Sequence, residues 1–480
     1  MSNLSDLLPT GGGQNAVDFV ASGTLGSGQT VVLNSNGTVS VISAISQSLG
    51  SPAVFQGSAA LSNSATFDST NNKVVVAYRD GGNSFFATAV VGTVSGASIS
   101  FGTPVVFNGS AQDLAITFDS FNSKIVIAFR DNTNATYGTA IVGTVSGTSI
   151  SFGTKVVFES AEANYISATF DSNANKVVIS YKDRGNNFGT AAVGTVSGTG
   201  ISFGTPVVFQ SSETNYTSAT FDSTNNKVVI AYQNSANSSY GTAVVGTVSG
   251  TSISFGTPVV FANANVSWVS IAFDSNNSKV VIAYTDNAPN PYYGTAVVGT
   301  VSGTAISFGT PVVFSSANAN RYSVVFNSSS NKIVISYKDQ TNSGFGTLVV
   351  GVVSGTSISF GSSVVYESAT TESITSTFDS TNNKVVIAYE DQGNAQKGTA
   401  IVFETASTNN TSFIGITAEA IADTATGPVN VFGGINEAQS GLTIGSDYYV
   451  QADGSIATTV SDVKIGQAIS ATTINMMDLT

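Results

Sequence analysis

The chain has 480 residues and a net charge of −13, with 16 Lys and Arg against 29 Asp and Glu. That balance argues against nucleic acid and anionic membranes as partners. No apolar run approaches membrane-spanning length, and there is no cysteine and no histidine, which excludes disulfides, thiolate chemistry and the commonest zinc ligand and general base.

Only 9% of residues are charged, so solubility rests on hydroxyls and amides. The opening MSNLSDLLPTGGG lacks the basic start and apolar core of a signal peptide. Residues 1–13 are expected to form a flexible or docking arm, given the Gly11-Gly12-Gly13 run. From Phe19 to Ile42 the order is strand, turn, strand, a turn at Asn36-Gly37, and strand. Residues 14–50 therefore form the first part of a β domain. Between 51 and 405 the chain repeats itself. A Phe-Asp-Ser element recurs at Phe67, Phe118, Phe170, Phe221, Phe273, Phe326 (as Phe-Asn-Ser) and Phe378, at spacings of 51 to 53 residues. A constant period of that size is the mark of a repeat architecture.

Within the copy from Tyr216 to Phe261, Ser-Ala-Thr-Phe-Asp is a short strand and Asp-Ser-Thr-Asn-Asn-Lys a turn. Lys-Val-Val-Ile-Ala-Tyr is apolar on both faces, as a strand between two layers should be. Gly-Thr-Ala-Val-Val-Gly-Thr-Val is a third strand, and a Ser-Gly turn leads into a fourth, Ile-Ser-Phe-Gly-Thr-Pro-Val-Val-Phe. The stretch from Phe261 towards Phe273 reads as a longer crossing. Four meandering strands repeated seven times predict an all-β, seven-bladed propeller. The seventh copy lacks its fourth strand, and Ser51-Pro-Ala-Val-Phe55 supplies one ahead of the first copy. That segment is expected to pair into the seventh blade and close the ring, since an open array would need polar caps at both ends.

Residues 406–480 are again non-repeat, with short strands between Gly turns and Asp453-Gly454 as a hairpin tip. A closed ring brings its ends together, so the two flanks are expected to form one discontinuous β domain with the propeller inserted.

The phrases LLPTGGGQNAVDFVASGTL, FIGITAEAIADTATG and SGLTIGSDYYVQADGSIATT resemble virion structural, tail-fibre and capsid-associated proteins of marine tailed phages. The repeat phrase VVGTVSGTSISFGTPVVF is similar, more loosely, to propeller-like repeats of phage and bacterial surface proteins. The resemblance covers both flanks, roughly a quarter of the chain. It implies an exposed virion component with a receptor-binding role, and no catalytic residue carries over with it.

Strand direction gives the ring two faces. The Asp-Ser-Thr-Asn-Asn-Lys turns and both chain ends lie on one, and the loops after Tyr78, Phe129, Tyr181, Tyr232, Tyr284, Tyr337 and Tyr389 on the other. The turn face barely varies, with Lys73, Lys124, Lys176, Lys227, Lys279, Lys332 and Lys384 at one position. The loop face does vary. Five residues before each repeat Phe stand Ser62, Asp113, Tyr165, Tyr216, Trp268, Arg321 and Ser373. If strand one is innermost, these ring the mouth of the central channel. Asp113, Tyr165, Tyr216, Trp268 and Arg321 are the candidate glycan-binding residues, because aromatic faces with a few polar groups suit a sugar. The alternative is that they only fill the channel.

The repeat aspartates Asp68, Asp119, Asp171, Asp222, Asp274 and Asp379 read as turn formers. Asp80, Asp131, Asp183, Asp286, Asp339 and Asp391 read as structural too. No metal, cofactor or catalytic residue is expected. The function expected is a phage virion structural protein (fibre, tail or capsid appendage) on the virion surface that presents a propeller face to a host-surface glycan. Its partners would be other virion proteins through the flanking β domain, the glycan, and further copies of the chain in a homo-oligomer, without membrane insertion. The alternatives are a glycan depolymerase drawing on Asp113, Glu162 and Glu213, a sialidase-like arginine cluster from Arg79, Arg130, Arg184 and Arg321, and a decoration protein without ligand.

Overall fold

The computed structural model describes residues 15–34, 36–42, 44–45, 47–288, 292–408, 412–451, 454–461 and 463–477. The expected arm at 1–13, Asp453 of the hairpin tip and the segment 409–411 lie outside these. The chain divides into two units, one running from Ser48 to Thr405 and the other made of the flanks up to residue 47 and from 406 onward.

The larger unit is a seven-bladed β-propeller, a single 28-stranded sheet that closes on itself. In the fourth blade Val207–Asp222 supplies the innermost strand, followed by Lys227–Asn234 and Tyr240–Ser249. The outer strand is made in two pieces. Ser252–Phe255 pairs with the lower half of Tyr240–Ser249, and the start of Val259–Asp274 pairs with its upper half. The stretch from Phe261 to Phe273 is not a loop, contrary to expectation. It is one 16-residue strand that leaves the outer edge of one blade and becomes the inner strand of the next. Its polar residues look loop-like, but each half finds a sheet partner in a different blade.

Ring closure follows from the same arrangement. Ala53 pairs with Ala400, Val54 with Thr399 and Gln56 with Gly398. Ser48 and Leu49 extend the pairing to Glu404 and Phe403, so the propeller starts at Ser48 and not at Ser51. Phe55 then packs on Tyr78 and Phe101 of the first blade, with ring centroids 5.3 and 5.5 Å apart. The partner strand must be bare where that ring sits: a Cβ on Gly398 would stand 2.5 Å from it. Where the other six copies carry Val-Gly, the seventh reads Ile-Val-Phe-Glu, with Phe403 in place of the glycine. Elsewhere that glycine makes room for the Ile and Phe of the outer hairpin (Ile253 and Phe255 against Gly246). The seventh blade lacks the hairpin, and Phe403, fully buried, fills the space.

The inner strands are stapled to one another by hydroxyls. Ser64 accepts a hydrogen bond from the Ile116 N–H at 3.2 Å, and Ser167, Ser218, Ser270 and Ser323 do the same for Ala219, Ile271, Val324 and Ser376. Thr375 completes the belt by accepting from the Ala65 N–H at 3.1 Å, which joins the last blade to the first. One junction is missing, because Ala115 stands where the other blades carry the hydroxyl.

The turn aspartates are structural, as expected. Asp68 accepts from the Thr70 and Asn71 N–H groups and from the Asn71 side chain, all within 3.0 Å, and it is 1% exposed. The second aspartates cap the opposite loops, as Asp80 does for the Gly82 N–H at 2.9 Å. Lys384 shares the turn face with both propeller ends, since it pairs with Glu404.

The flanks form one β domain. A five-stranded sheet interleaves Ala16–Val20, Thr426–Val431, Phe413–Thr417, Thr30–Leu33 and Val39–Val41, so neither flank makes it alone. A second five-stranded sheet comes from the C-terminal flank, and Val32, Ile42 and Ile416 share a core with its Tyr448, Val450 and Ile465.

Candidate glycan-binding mouth

Against the second strand of its own blade each inner strand breaks register once, between Asn215 and Ser218 in the fourth blade and at the matching place in the others. The residue at the break is Ser62, Asp113, Tyr165, Tyr216, Trp268, Arg321 or Ser373, and all seven adopt left-handed φ between 48 and 57°. Seven non-glycine residues in that region at one position make a built feature, because each costs of order 1–3 kcal/mol. A bulge re-aims the side chain that sits on it. Here all seven are turned into a single cavity of about 500 Å³. The five predicted site residues are thus brought together at the channel mouth.

They touch one another in sequence round the ring. Asp113 accepts from the Tyr165 N–H at 3.3 Å. The Tyr165 and Tyr216 rings lie 5.0 Å apart, and those of Tyr216 and Trp268 5.5 Å. The Arg321 guanidinium covers Trp268 at 4.7 Å from the ring centroid and pairs with Glu372. Ser373 accepts from the Ser62 N–H at 3.0 Å. Two aromatic blades, an indole under a cation and two small serines therefore leave an uneven rim, apolar on one side and open on the other. Trp268 is half-buried and packs on the core that contains Tyr322 and Val324. It is less free than the sequence suggests, because the neighbouring blade's Arg321 occupies one of its surroundings.

The next residue along each strand was missed by sequence reasoning. Leu114, Ile166, Thr217, Val269, Tyr322 and Ile374 form a largely apolar collar lining the cavity below the mouth, and the first blade puts Asn63 there. Asn63 is 9% exposed, and neither its Oδ1 nor its Nδ2 has a hydrogen-bond partner. A buried primary amide without partners is costly, by about 1–3 kcal/mol. It borders the cavity, where a ligand's hydroxyl could satisfy it.

The second strand adds a further variable ring, Arg79, Arg130, Lys182, Gln233, Thr285, Lys338 and Glu390. Most of these reach the next blade. Arg130 pairs with Glu162 at 2.8 Å and Asp113 at 3.4 Å, Lys182 with Glu213 at 2.7 Å, and Lys338 with Glu372 at 2.6 Å. The three carboxylates that sequence offered for hydrolysis are thereby each held by a cation. Lys182 holds Glu213 below its ordinary range. Burial outweighs Arg130 at Asp113 and pushes it up. The four arginines do not form one cluster: Arg184 reaches Asn187 in its own loop.

A pair of carboxylates that sequence did not single out lies on the seventh blade, beside the first. Glu372 and Glu390 are cross-strand partners, and both line a smaller side cavity with Arg79, Arg321, Gln392 and Gln396. Glu390 is 2% exposed; burial first, and then the Glu372 charge, raise it to about 7, against the pull of Arg321, Gln392 and Ser373.

No described protein family matches the sequence, and no curated protein matches it. Among solved structures it is similar to one titled "Structure of Dos1 propeller", at 12% identity and a TM-score of 0.43, covering 78% of this chain and 81% of that one.

Proposed function

We propose that the chain is a virion appendage whose propeller binds a host-surface glycan in the mouth of its loop face. The observation that carries this reading is the mouth itself. At one position, seven near-identical blades differ, and a shared left-handed bulge turns all seven side chains into one cavity. Structure that is uniform in backbone and varied in side chain suits recognition better than filling. The lining of aromatic faces and polar groups, above a partnerless amide, matches what a saccharide offers: apolar ring faces edged by hydroxyls. The flanks, a separate β domain, would supply attachment to other virion proteins and between copies. Antibody against the purified chain should label intact particles, and the chain should deplete surface polysaccharide from host extracts. Particles without the protein, or extracts left undepleted, would reject the respective half of the proposal.

A second reading has its own observation. Glu390, raised to about 7 by burial and by the Glu372 charge, stands cross-strand to Glu372, which Arg321 and Lys338 hold, and glycosidases likewise work with two carboxyl groups close together. Under it the site would cleave the glycan. Release of reducing ends from host polysaccharide, absent in Glu390→Gln, would establish it.

A further inference from the structure

Among the cations of the second-strand ring, Arg79 stands apart. Arg130, Lys182 and Lys338 each meet a carboxylate of the next blade. Ser110 and Gln112 occupy the corresponding places opposite Arg79. Among the described residues its guanidinium has no ion-pair or hydrogen-bond partner, its Nε is buried, and it is held against the Phe85 ring at 5.1 Å. The charges that act on it are those of Arg130 and Asp113, which already pair with each other. A half-buried guanidinium of this kind can take up an anion, because its fork of donors fits a carboxylate bidentately.

Its surroundings are shaped for that purpose. The side cavity it lines shares Ser62, Arg321 and Ser373 with the mouth, so the two spaces meet at the small-residue side of the rim. Arg321 brings a second cation. Of the facing acids, Glu372 is already neutralised by Arg321 and Lys338. Glu390 takes a hydrogen bond from Gln392 at 2.8 Å and, raised as it is by burial and by Glu372, can donate a proton in turn. Asn63 lines the mouth next to Ser62, a residue common to both spaces, and neither of its amide atoms has a hydrogen-bond partner among the described residues.

We propose that the Arg79 corner binds the carboxylate of an acidic sugar, so that the ligand of the mouth is a uronic-acid polysaccharide. This rests on the glycan reading above. A sugar ring would lie across the mouth towards Tyr216, with a ring hydroxyl on Asn63 and its carboxylate turned into the side cavity onto Arg79. A charge-assisted bidentate pair out of bulk water is among the stronger single contacts a site can offer.

The full chain is to be tested on immobilised uronic-acid, sulfated and neutral polysaccharides, beside Arg79→Gln and Arg79→Lys. The expected result is binding confined to the uronic-acid members, weakened about tenfold or more by Arg79→Gln. Arg79→Lys, which keeps the charge and loses the fork, should fall between the two. Because Arg79 has no ion pair or hydrogen bond to lose among the described residues, and only its contact with the Phe85 ring, both variants should melt close to the parent. Binding to neutral members with no effect of Arg79→Gln overturns this inference and leaves the glycan reading intact. Binding to sulfated members alone also overturns it. Binding to no member overturns both.

Discussion

Substitution of Phe55 by Ala tests ring closure at a single side chain. Phe55 sits in the segment that precedes the first repeat, yet it is 6% exposed and packs on Tyr78 and Phe101. Phe261 is its equivalent in mid-ring, 5% exposed and 5.2 and 5.8 Å from Tyr284 and Phe308. Truncating a buried Phe costs about 3–5 kcal/mol, because transfer and cavity terms add. The two variants should therefore lose the same amount if the segment is a full member of the seventh blade. Urea unfolding followed by fluorescence reports this unit alone, since the chain's one tryptophan, Trp268, lies in the propeller. With the urea dependence unchanged, both midpoints should fall together. If Phe55→Ala stayed within about 1 kcal/mol of the parent while Phe261→Ala lost its full share, the clasp would be refuted.

Glu390 should make stability depend on pH. Its folded pKa of about 7 lies above the ordinary 4.5, so the folded state holds a proton that the unfolded state releases. The contribution is complete below the unfolded value and is lost as pH rises through about 7. A difference of that size is worth about 3 kcal/mol, reduced to about 1–2 by water in the side cavity. Glu390→Gln should remove the fall between pH 5 and 8, and an unchanged profile would contradict it. Ala115→Ser should add the missing member of the hydroxyl belt and raise stability by about 0.5–1.5 kcal/mol, whereas Ser218→Ala should lower it by as much. Equal melting of both would deny the belt any role. Trp268→Ala should cost about 1–2 kcal/mol, since the ring is half-buried and lies under Arg321. Full retention of stability would show that the indole is free in solution.

The propeller was legible because its units repeat at close intervals and each carries its own turn chemistry, from Asp68 to Asp379. The clasp was legible as a strand missing from one end and present at the other. The mouth set was legible too, because copies of one repeat can be compared with each other: whatever differs at a fixed position is under no demand from the blade. What was not legible depends on contacts between blades. The Ser64-to-Ile116 staple and the Arg321 cover on Trp268 join residues that periodicity places on separate blades without saying which atoms meet. The strand running from Val259 to Asp274 was missed for a related reason. Its middle is polar because it passes between blades, and polarity alone reads as loop. Asn63 gave no signal at all, since a lone amide in a variable column looks like any other surface residue until its burial and lack of partners are seen.

The central claim is that the mouth binds a glycan, and Tyr216 tests it most directly. Its ring lies between those of Tyr165 and Trp268 and borders the cavity, and Ala would keep the same left-handed backbone. Affinity of the purified chain for host-surface polysaccharide should be measured beside melting on the parent and Tyr216→Ala. The account predicts a loss of about 1–3 kcal/mol in binding, roughly tenfold or more, with melting little changed. Unaltered affinity together with lowered melting would mean that the ring only fills the channel, and would contradict it.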